Sequence, residues 1–266
     1  MGMAAQTPSL ELADNARGEV ADLLDLQLSP LGLAAMDALA PELGQTIVDI
    51  GCGAGQTVQQ LASRVGPLGR VIGVDIAPRV LEVARSRTAA LGQVQLIQAD
   101  AAVLTLPDEM ADGVYSRFGV MAFDDPVAAF ANFRRITRRG GRLAFVCWRS
   151  LEENELDFVP LQAAGLDIPI DKTPFKFEQR DYVLDVLRSA GFAKIEIEAC
   201  DARVSSGNLD AMMAVLTKVG ALGKLLRETP ALISSVEPRV RAVLIANAGD
   251  RDISLKAATW IVSAAA

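Results

Sequence analysis

Histidine is absent from the chain, which has 266 residues. Its absence excludes Ser-His-Asp and Cys-His nucleophile systems, because both need an imidazole base to activate the nucleophile. It also removes the usual nitrogen donor of zinc, copper and non-haem iron sites, so we predict no metal. Any proton transfer must therefore use a carboxylate, a tyrosine, a lysine, a cysteine or water.

Cysteines, aromatic residues and long apolar runs are also scarce. Cys52, Cys147 and Cys200 form no CxxC pair, so neither a zinc ribbon nor a disulfide framework is expected. Aromatic residues make up 5% of the chain and its net charge is −7, which argues against a nucleic-acid partner. The sequence contains no run of about 18 apolar residues, so we predict no membrane span. Met1–Gln6 lacks the features of a signal peptide, so we expect a cytoplasmic protein.

Acidic residues are concentrated at the beginning of the chain, where residues 1–45 contain Arg17 as their only base. A solvated helix face is the simplest interpretation of such a charge pattern. We predict that residues 1–45 form a helical arm or lid. Residues 46–266 would then form the main domain, with substrate-binding insertions at about 150–180 and 207–250.

Short apolar runs alternate with amphipathic helical patterns from Thr46 onward. This alternation predicts an α/β fold with a doubly wound, mostly parallel sheet that is covered by helices on both faces. The first five predicted strands are Thr46–Ile50, Arg70–Val74, Val94–Gln98, Ala111–Tyr115 and Leu143–Cys147. Two later patterns, Ala193–Glu198 and Ser254–Val262, predict the last strands.

A glycine-rich turn follows the first predicted strand, with the pattern D-x-G-x-G-x-G from Asp49 to Gly55. Glycines let a backbone approach a ligand closely. A dinucleotide-binding turn would need a further glycine where Gln56 stands, and its pyrophosphate would be repelled by Asp49. The turn therefore favours a cationic ligand without phosphates.

Carboxylates also stand at the ends of the next two predicted strands. Asp75 ends the second strand, where an acid can accept both hydroxyls of a ribose. Asp100 follows the third strand, in a position to meet the exocyclic amine of a purine. A ligand with an amine, a ribose and an adenine is S-adenosylmethionine, which we predict as the cofactor.

Several motifs resemble those of the class I S-adenosylmethionine-dependent methyltransferases. VDIGCGAGQT and GVDIAP are similar to the first two motifs of the family, and QADA to the acidic element after the third strand. RRITRRGGRLAFVCW resembles the signature before the fifth strand, although Arg139 replaces the usual proline. SRFGVMAFDDPVAAFANFRR is similar to small-molecule enzymes related to the quinone-biosynthesis C-methyltransferases. The resemblance implies a Rossmann-like sheet of seven strands, the last antiparallel, with N-terminal helices and a helical substrate lid.

The resemblance also implies which residues hold the cofactor. The methionine moiety would contact Asp49, Gln56 and the backbone of Gly51, Cys52, Gly53 and Gly55. The ribose and adenine would contact Asp75, Ile76, Asp100 and Ala101, with Ser116 near the transferred methyl group. The implied reaction is methyl transfer to a small-molecule acceptor, such as a hydrophobic, phenolic or enolic metabolite, at oxygen or carbon.

Other functions and several residue roles stay open at the level of sequence. The alternatives are an NAD-dependent oxidoreductase and a non-catalytic module that binds S-adenosylmethionine. Neither the acceptor nor the oligomeric state is specified, a homodimer being one option. No catalytic residue is assigned, and the candidate bases are Tyr115, Asp124, Asp125 and Glu152. Arg117 fits either a functional role or an ion pair, and Phe158, Phe175 and Phe177 fit either a lid or a core.

Overall fold

A computed structural model describes residues 8–166, 168–248 and 253–266 of the chain. These residues group into two compact units. The sheet unit comprises residues 29–150, 172–202 and 258–266, and the helical unit comprises the described residues of 8–28, 151–171 and 203–257. The predicted arm of residues 1–45 contains two helices, α1 (Pro8–Glu19) and α2 (Ala21–Leu39), and Met1–Thr7 lie outside the described residues. The lid role remains a prediction.

A seven-stranded sheet is the main feature of the structure. Its strands are β1 (Thr46–Ile50), β2 (Arg70–Asp75), β3 (Val94–Gln98), β4 (Ala111–Arg117), β5 (Thr137–Trp148), β6 (Ala193–Val204) and β7 (Leu255–Ala265). They are ordered β3-β2-β1-β4-β5-β7-β6, and β1 to β5 pair in parallel while β7 is antiparallel to β5. This arrangement confirms the predicted Rossmann-like fold.

Burial explains why the sequences of the central strands are almost continuously apolar. Ile47, Val48 and Ile50 of β1 are fully or almost fully buried, as is the segment from Leu143 to Cys147 of β5. A strand that is covered on both faces has no side exposed to solvent, so its sequence does not alternate between apolar and polar residues. The sheet unit also contains α3 (Gln56–Val65), α4 (Pro78–Thr88), α5 (Pro126–Ile136) and α7 (Arg180–Ser189). Helix α3 buries an apolar face that includes Val58, Leu61, Ala62 and Val65.

The helical unit contains further helices, α6 (Glu155–Ala164), α8 (Leu209–Leu216), α9 (Gly220–Glu228) and α10 (Ile233–Ala248). Three of these helices, α8, α9 and α10, lie in the segment of about 207–250 that was predicted as an insertion, and its substrate-binding role remains a prediction. The chain turns between α8 and α9. The corner between them is tight, because a Cβ atom on Gly223 would lie 2.4 Å from the carbonyl carbon of Lys218. Among the described residues, no helix is long and apolar enough to cross a membrane.

Several strands differ in extent from the sequence-based expectation, since β6 continues to Val204 and β7 to Ala265. Strand β5 begins at Thr137 rather than at Leu143, and β4 continues to Arg117. The structure also decides between the two alternatives for Phe175 and Phe177. Phe175 and Phe177 are buried in the sheet unit, and the Phe177 ring centroid lies 6.0 Å from that of Phe130. These two phenylalanines therefore belong to the core and not to a lid, whereas Phe158 is part of α6.

Candidate functional site

The order of the strands places a crevice at one edge of the sheet. The chain winds from β1 outward to β2 and β3, and then returns to β4 on the other side of β1. Open α/β sheets bind ligands at such a switch point, outside the carboxyl ends of the strands. The predicted site residues of the sheet unit lie at or just after the carboxyl ends of β1, β2, β3 and β4.

The glycine-rich turn connects β1 to α3 through a short backbone network. The amides of Gly51 and Cys52 donate to the carbonyl of Val74 at 2.8 and 3.0 Å, which ties the turn to the end of β2. Gly51, Gly53 and Gly55 all have positive φ angles. A Cβ atom on Gly53 would meet no atom within 4 Å, so the turn has open space there for a ligand.

Asp75 stabilises the turn as well as ending β2. Its Oδ2 accepts a hydrogen bond from the Gly53 amide at 2.8 Å, and its Oδ1 accepts one from the Ala77 amide at 2.9 Å. A carboxylate offers about four acceptor positions and can therefore accept from several donors at once. The contacts are compatible with the ribose-binding role predicted for Asp75, and they form a bridge between the glycine-rich turn and the loop after β2.

Asp49 is a fully buried carboxyl group in the sheet unit. Its Oδ2 accepts a hydrogen bond of 2.5 Å from the Thr57 hydroxyl. Its Oδ1 has no hydrogen-bond partner among the described residues. Burial raises the pKa of Asp49 to about 7, although the Thr57 bond and the Arg117 charge both oppose the shift. A buried acceptor without a partner is a place where a ligand donor would be stabilised.

We expect Asp49 to make the stability of the ligand-free protein depend on pH. The folded-state pKa is about 7 and the ordinary value is 3.8, so the folded protein holds one more proton between these limits. The free energy of unfolding should therefore fall as the pH rises from about 4 to 7, by up to roughly 1.4 kcal/mol per pH unit from this group. Urea denaturation of the wild type and of Asp49→Asn across this range measures the effect. An identical pH dependence in both proteins would contradict the assignment.

The predicted adenine-binding residues lie after β2 and β3. Ile76 is 53% exposed, which leaves its side chain available to pack on a flat ring. Asp100 is exposed and accepts a hydrogen bond from the Ala102 amide at 2.9 Å, capping the short 3₁₀ helix Ala101–Val103. The cap uses one oxygen of the Asp100 carboxylate. The adenine-binding role of Asp100 and Ala101 stays a prediction.

Ser116 lies in β4 and contributes to the site through its hydroxyl. The fully buried Oγ donates to the Ile50 carbonyl at 2.7 Å and accepts from the Gly119 amide at 3.1 Å. These bonds join the loop after β4 to the glycine-rich turn. The Ser116 side chain is thus occupied in positioning backbone, and its predicted proximity to the methyl group remains a prediction. Cys52 is 2% exposed and fills the turn, with its thiol pKa raised by burial.

Four residues of the site region were not among the predicted cofactor ligands. Thr57 binds Asp49, and the Arg87 guanidinium donates to the Ala54 carbonyl in the turn at 2.9 Å. Arg117 donates to Gln56 Oε1 at 2.6 Å. Phe118 has a positive φ of 58° and stacks on Trp148 with a centroid distance of 4.0 Å. A positive φ is rare for a bulky residue, and no sequence pattern predicts it at Phe118.

The candidate bases differ in their surroundings. Tyr115 is fully buried and donates its hydroxyl to the Gly32 carbonyl at 2.8 Å, and burial raises its pKa well above the ordinary value. Asp125 caps α5 by accepting from the Ala128 amide at 3.0 Å. Asp124 is exposed, and Glu152 is an exposed residue of the helical unit. Tyr115 is therefore a poor base, and the structure assigns no catalytic role to the other three.

Comparison with known proteins identifies the domain that contains this site. Residues 48–145 match the family model of a methyltransferase domain. Residues 48–145 are thus similar to a methyltransferase domain. This finding confirms the resemblance that the motifs of the sequence indicated, and the matched residues of the methyltransferase domain include the glycine-rich turn and all three carboxylates.

Known relatives of the methyltransferase domain act on different molecules. The chain is 35% identical over 119 residues to aklanonic acid methyltransferase DauC of Streptomyces sp. (strain C5), covering 44% of this chain and 54% of that protein. It is 26% identical over 195 residues to demethylmenaquinone methyltransferase of Staphylococcus carnosus (strain TM300), and the alignment covers 65% of this chain and 78% of that protein. The chain thus spans about half of the length of the first relative.

The fold is also found in a solved methyltransferase. Phosphoethanolamine N-methyltransferase 2 of Haemonchus contortus, in complex with S-adenosyl-L-methionine, superposes with a TM-score of 0.56 at 17% identity. The alignment covers 89% of this chain and 52% of that protein. At this level of identity the similarity concerns the fold alone.

Proposed function

We propose that the protein transfers a methyl group from S-adenosylmethionine to a small-molecule acceptor. The observation that supports this proposal most directly is the arrangement of Asp49, Asp75 and Asp100. These carboxylates lie at or just after the carboxyl ends of three adjacent strands, in the order that an amine, a ribose and an adenine require. The open space at Gly53 lies between the first two of them along the chain.

The residues present fit S-adenosylmethionine. The buried Oδ1 of Asp49 matches the ammonium of the methionine moiety, because a cation would satisfy the acceptor and compensate the cost of a buried charge. Asp75 would accept from the ribose hydroxyls, while Ile76 offers an apolar surface to the adenine. Gln56, which stands where a dinucleotide-binding turn has glycine, accepts from Arg117 and gives no support to the NAD-dependent alternative.

Positioning is the main contribution that this chain would make to the reaction. When bound, S-adenosylmethionine supplies an electrophilic methyl group on a sulfonium, and the leaving thioether needs no proton. Holding two reactants in line lowers the barrier by up to roughly 7–11 kcal/mol in well-oriented systems. The network that joins Ser116, Gly119 and Ile50 would fix the backbone on one side of the crevice.

We propose a hydrophobic acceptor with an acidic phenol or enol. The Phe118 and Trp148 rings stack with an interplanar angle of 18°, at the carboxyl ends of β4 and β5. Such a pair suits a flat apolar molecule. An acceptor that ionises by itself would need no strong base, which agrees with the buried and hydrogen-bonded Tyr115. The two relatives named for aklanonic acid and demethylmenaquinone support methylation of a small molecule.

We also propose that the protein works in the cytoplasm without a nucleic-acid partner. Cys52, Cys147 and Cys200 are free thiols, as a reducing compartment permits. The arginines around β5 have acidic neighbours, since Arg138 binds Asp112 at 2.5 Å. Cations that are already paired contribute less to phosphate binding.

The proposed function predicts that S-adenosylhomocysteine stabilises the protein. Ligand at about 100 times its Kd should add roughly 2.7 kcal/mol to the free energy of unfolding. Thermal unfolding with S-adenosylhomocysteine, and with NAD as the matched control, measures this effect. An unchanged melting temperature with millimolar S-adenosylhomocysteine, or a larger rise with NAD, would contradict the proposal.

A further inference from the structure

Arg117 occupies a position that the proposed cofactor contacts do not yet explain. It is the last residue of β4, and β4 pairs with β1 on the side of the switch point that faces away from β2. Asp49 belongs to β1, in register with Tyr115. A crevice between the carboxyl ends of β1 and β4 therefore has Asp49 on one strand and Arg117 on the other.

The side chain of Arg117 is held in place from two directions. Its Nη1 donates to Gln56 Oε1 at 2.6 Å, so the guanidinium lies beside the first residue of α3, directly after the glycine-rich turn. On the other side, its aliphatic stem packs against α2, where a Cβ atom on Gly32 would lie only 2.7 Å from Arg117 Cδ. A cation that is half-buried and braced in this way has lost much of its rotamer freedom before any ligand arrives.

The charges of Asp49 and Arg117 act on each other. The positive charge of Arg117 lowers the pKa of Asp49, against the larger effect of burial. Asp49 nevertheless retains an oxygen atom without a hydrogen-bond partner among the described residues. A buried anion and a braced cation on neighbouring strands match a ligand group that carries both charges, as an α-amino acid does.

We propose that Arg117 binds the carboxylate of the methionine moiety while Asp49 binds its ammonium, so that Arg117 makes the site specific for an intact amino acid. This inference rests on the proposed function, because it assigns one further contact of the same cofactor. A guanidinium recognises a carboxylate through parallel N–H donors, which a neutral side chain cannot reproduce. Gln56 is then a positioning residue that orients the Arg117 guanidinium.

A pair of ligands that differ only in the carboxylate tests this assignment. S-adenosylhomocysteine contains the carboxylate, whereas S-adenosyl-3-thiopropylamine lacks it and keeps the amine, the sulfur and the adenosine. The affinities of both ligands are measured by calorimetry for the wild type, Arg117→Gln, Arg117→Lys and Arg138→Gln. Arg138→Gln is the matched control, because it also removes one cation but lies at the amino end of β5, where it pairs with Asp112.

We expect the wild type to bind S-adenosylhomocysteine about 10- to 100-fold more tightly than S-adenosyl-3-thiopropylamine, as a hydrogen-bonded charge pair would allow. Arg117→Gln should reduce this ratio to near one by weakening only the first ligand. Arg117→Lys should keep part of the ratio, and Arg138→Gln should keep all of it. The ratio compares two ligands on one protein, so a modest loss of stability in a variant does not disturb it.

Other outcomes distinguish the inference from the proposed function. A wild type that binds both ligands equally, or an Arg117→Gln protein with the wild-type ratio, would overturn the role of Arg117 while leaving the proposed function intact. A wild type that binds neither ligand would overturn the proposed function itself. Equal weakening of both ligands by Arg117→Gln would show that Arg117 only balances the charge of Asp49, and would also overturn the inference.

Discussion

Gly51→Ala should destabilise the protein by about 2–5 kcal/mol, the largest effect on folding that we expect from one methyl group in the site. Gly51 has a φ of 71°, a conformation that costs an alanine roughly 1–2 kcal/mol. The added Cβ atom would also lie 2.7 Å from Gly119 Cα, which is backbone and cannot rotate away. Relieving such a contact typically costs a further 1–3 kcal/mol or so. Chemical denaturation of the ligand-free protein measures the change.

Two other glycines provide the controls for Gly51→Ala. Gly53 has a φ of 52° and open space around its Cα, so Gly53→Ala should show the backbone strain alone. Gly92 has neither a positive φ nor a close neighbour, so Gly92→Ala should leave stability nearly unchanged. Equal losses of stability in Gly51→Ala and Gly53→Ala would contradict this prediction. They would show that the close approach of Gly119 to Gly51 contributes little to the free energy of unfolding of the variant.

Asp75→Asn should weaken the binding of S-adenosylhomocysteine by about 100-fold or more. Each carboxylate oxygen of Asp75 accepts from a backbone amide, Oδ2 from Gly53 and Oδ1 from Ala77. An asparagine has one oxygen and one NH₂ group, so a donor must then face one of these amides. Leaving a donor unpaired costs about 1–3 kcal/mol, and the charged acceptor for the ribose hydroxyls is lost as well. Calorimetric titration of the two proteins gives the ratio of affinities.

Asp100→Asn is the matched control for Asp75→Asn. It removes the same charge, but Asp100 accepts from only one backbone amide, that of Ala102, and an asparagine oxygen can make the same bond. We therefore expect less than about a tenfold loss of affinity. If the two variants lost affinity equally, the bridge that Asp75 forms between Gly53 and Ala77 would not be the reason for its importance.

These predictions concern a turn whose shape depends on the neighbouring strands. The Gly51 amide binds β2 through Val74, Asp75 returns from β2 to Gly53, and Ser116 of β4 binds Ile50. Strands on both sides of β1 thus hold the turn. A substitution in any of them should alter cofactor affinity, because a preorganised backbone avoids an ordering cost on binding.

Local sequence patterns were sufficient to predict the elements that surround the site. Strands β1 and β2 are short apolar runs that are buried along most of their length, and parallel strands covered on both faces have this composition. The positions of Asp49, Asp75 and Asp100 could be predicted because the carboxyl ends of parallel strands meet at one edge of the sheet. The extent of β5 could not be predicted, since its first residues, Thr137 to Gly141, lack an apolar pattern. Thr137 pairs with Ala111 of β4, and Gly140 and Gly141 bond to the backbone of Ala266, contacts that form only in the folded chain.

The sequence by itself determined the order of strands and helices, the glycine-rich turn and the acids that follow three strands, because these features depend on neighbours along the chain. Only the tertiary structure decided which distant groups meet. Arg117 and Gln56 are 61 residues apart, and Tyr115 and Gly32 are 83 apart. Such contacts depend on sheet register and on how closely a helix approaches the sheet, which no local pattern encodes. The unpartnered oxygen of Asp49 is a property of burial, and it too arises only when the strands come together.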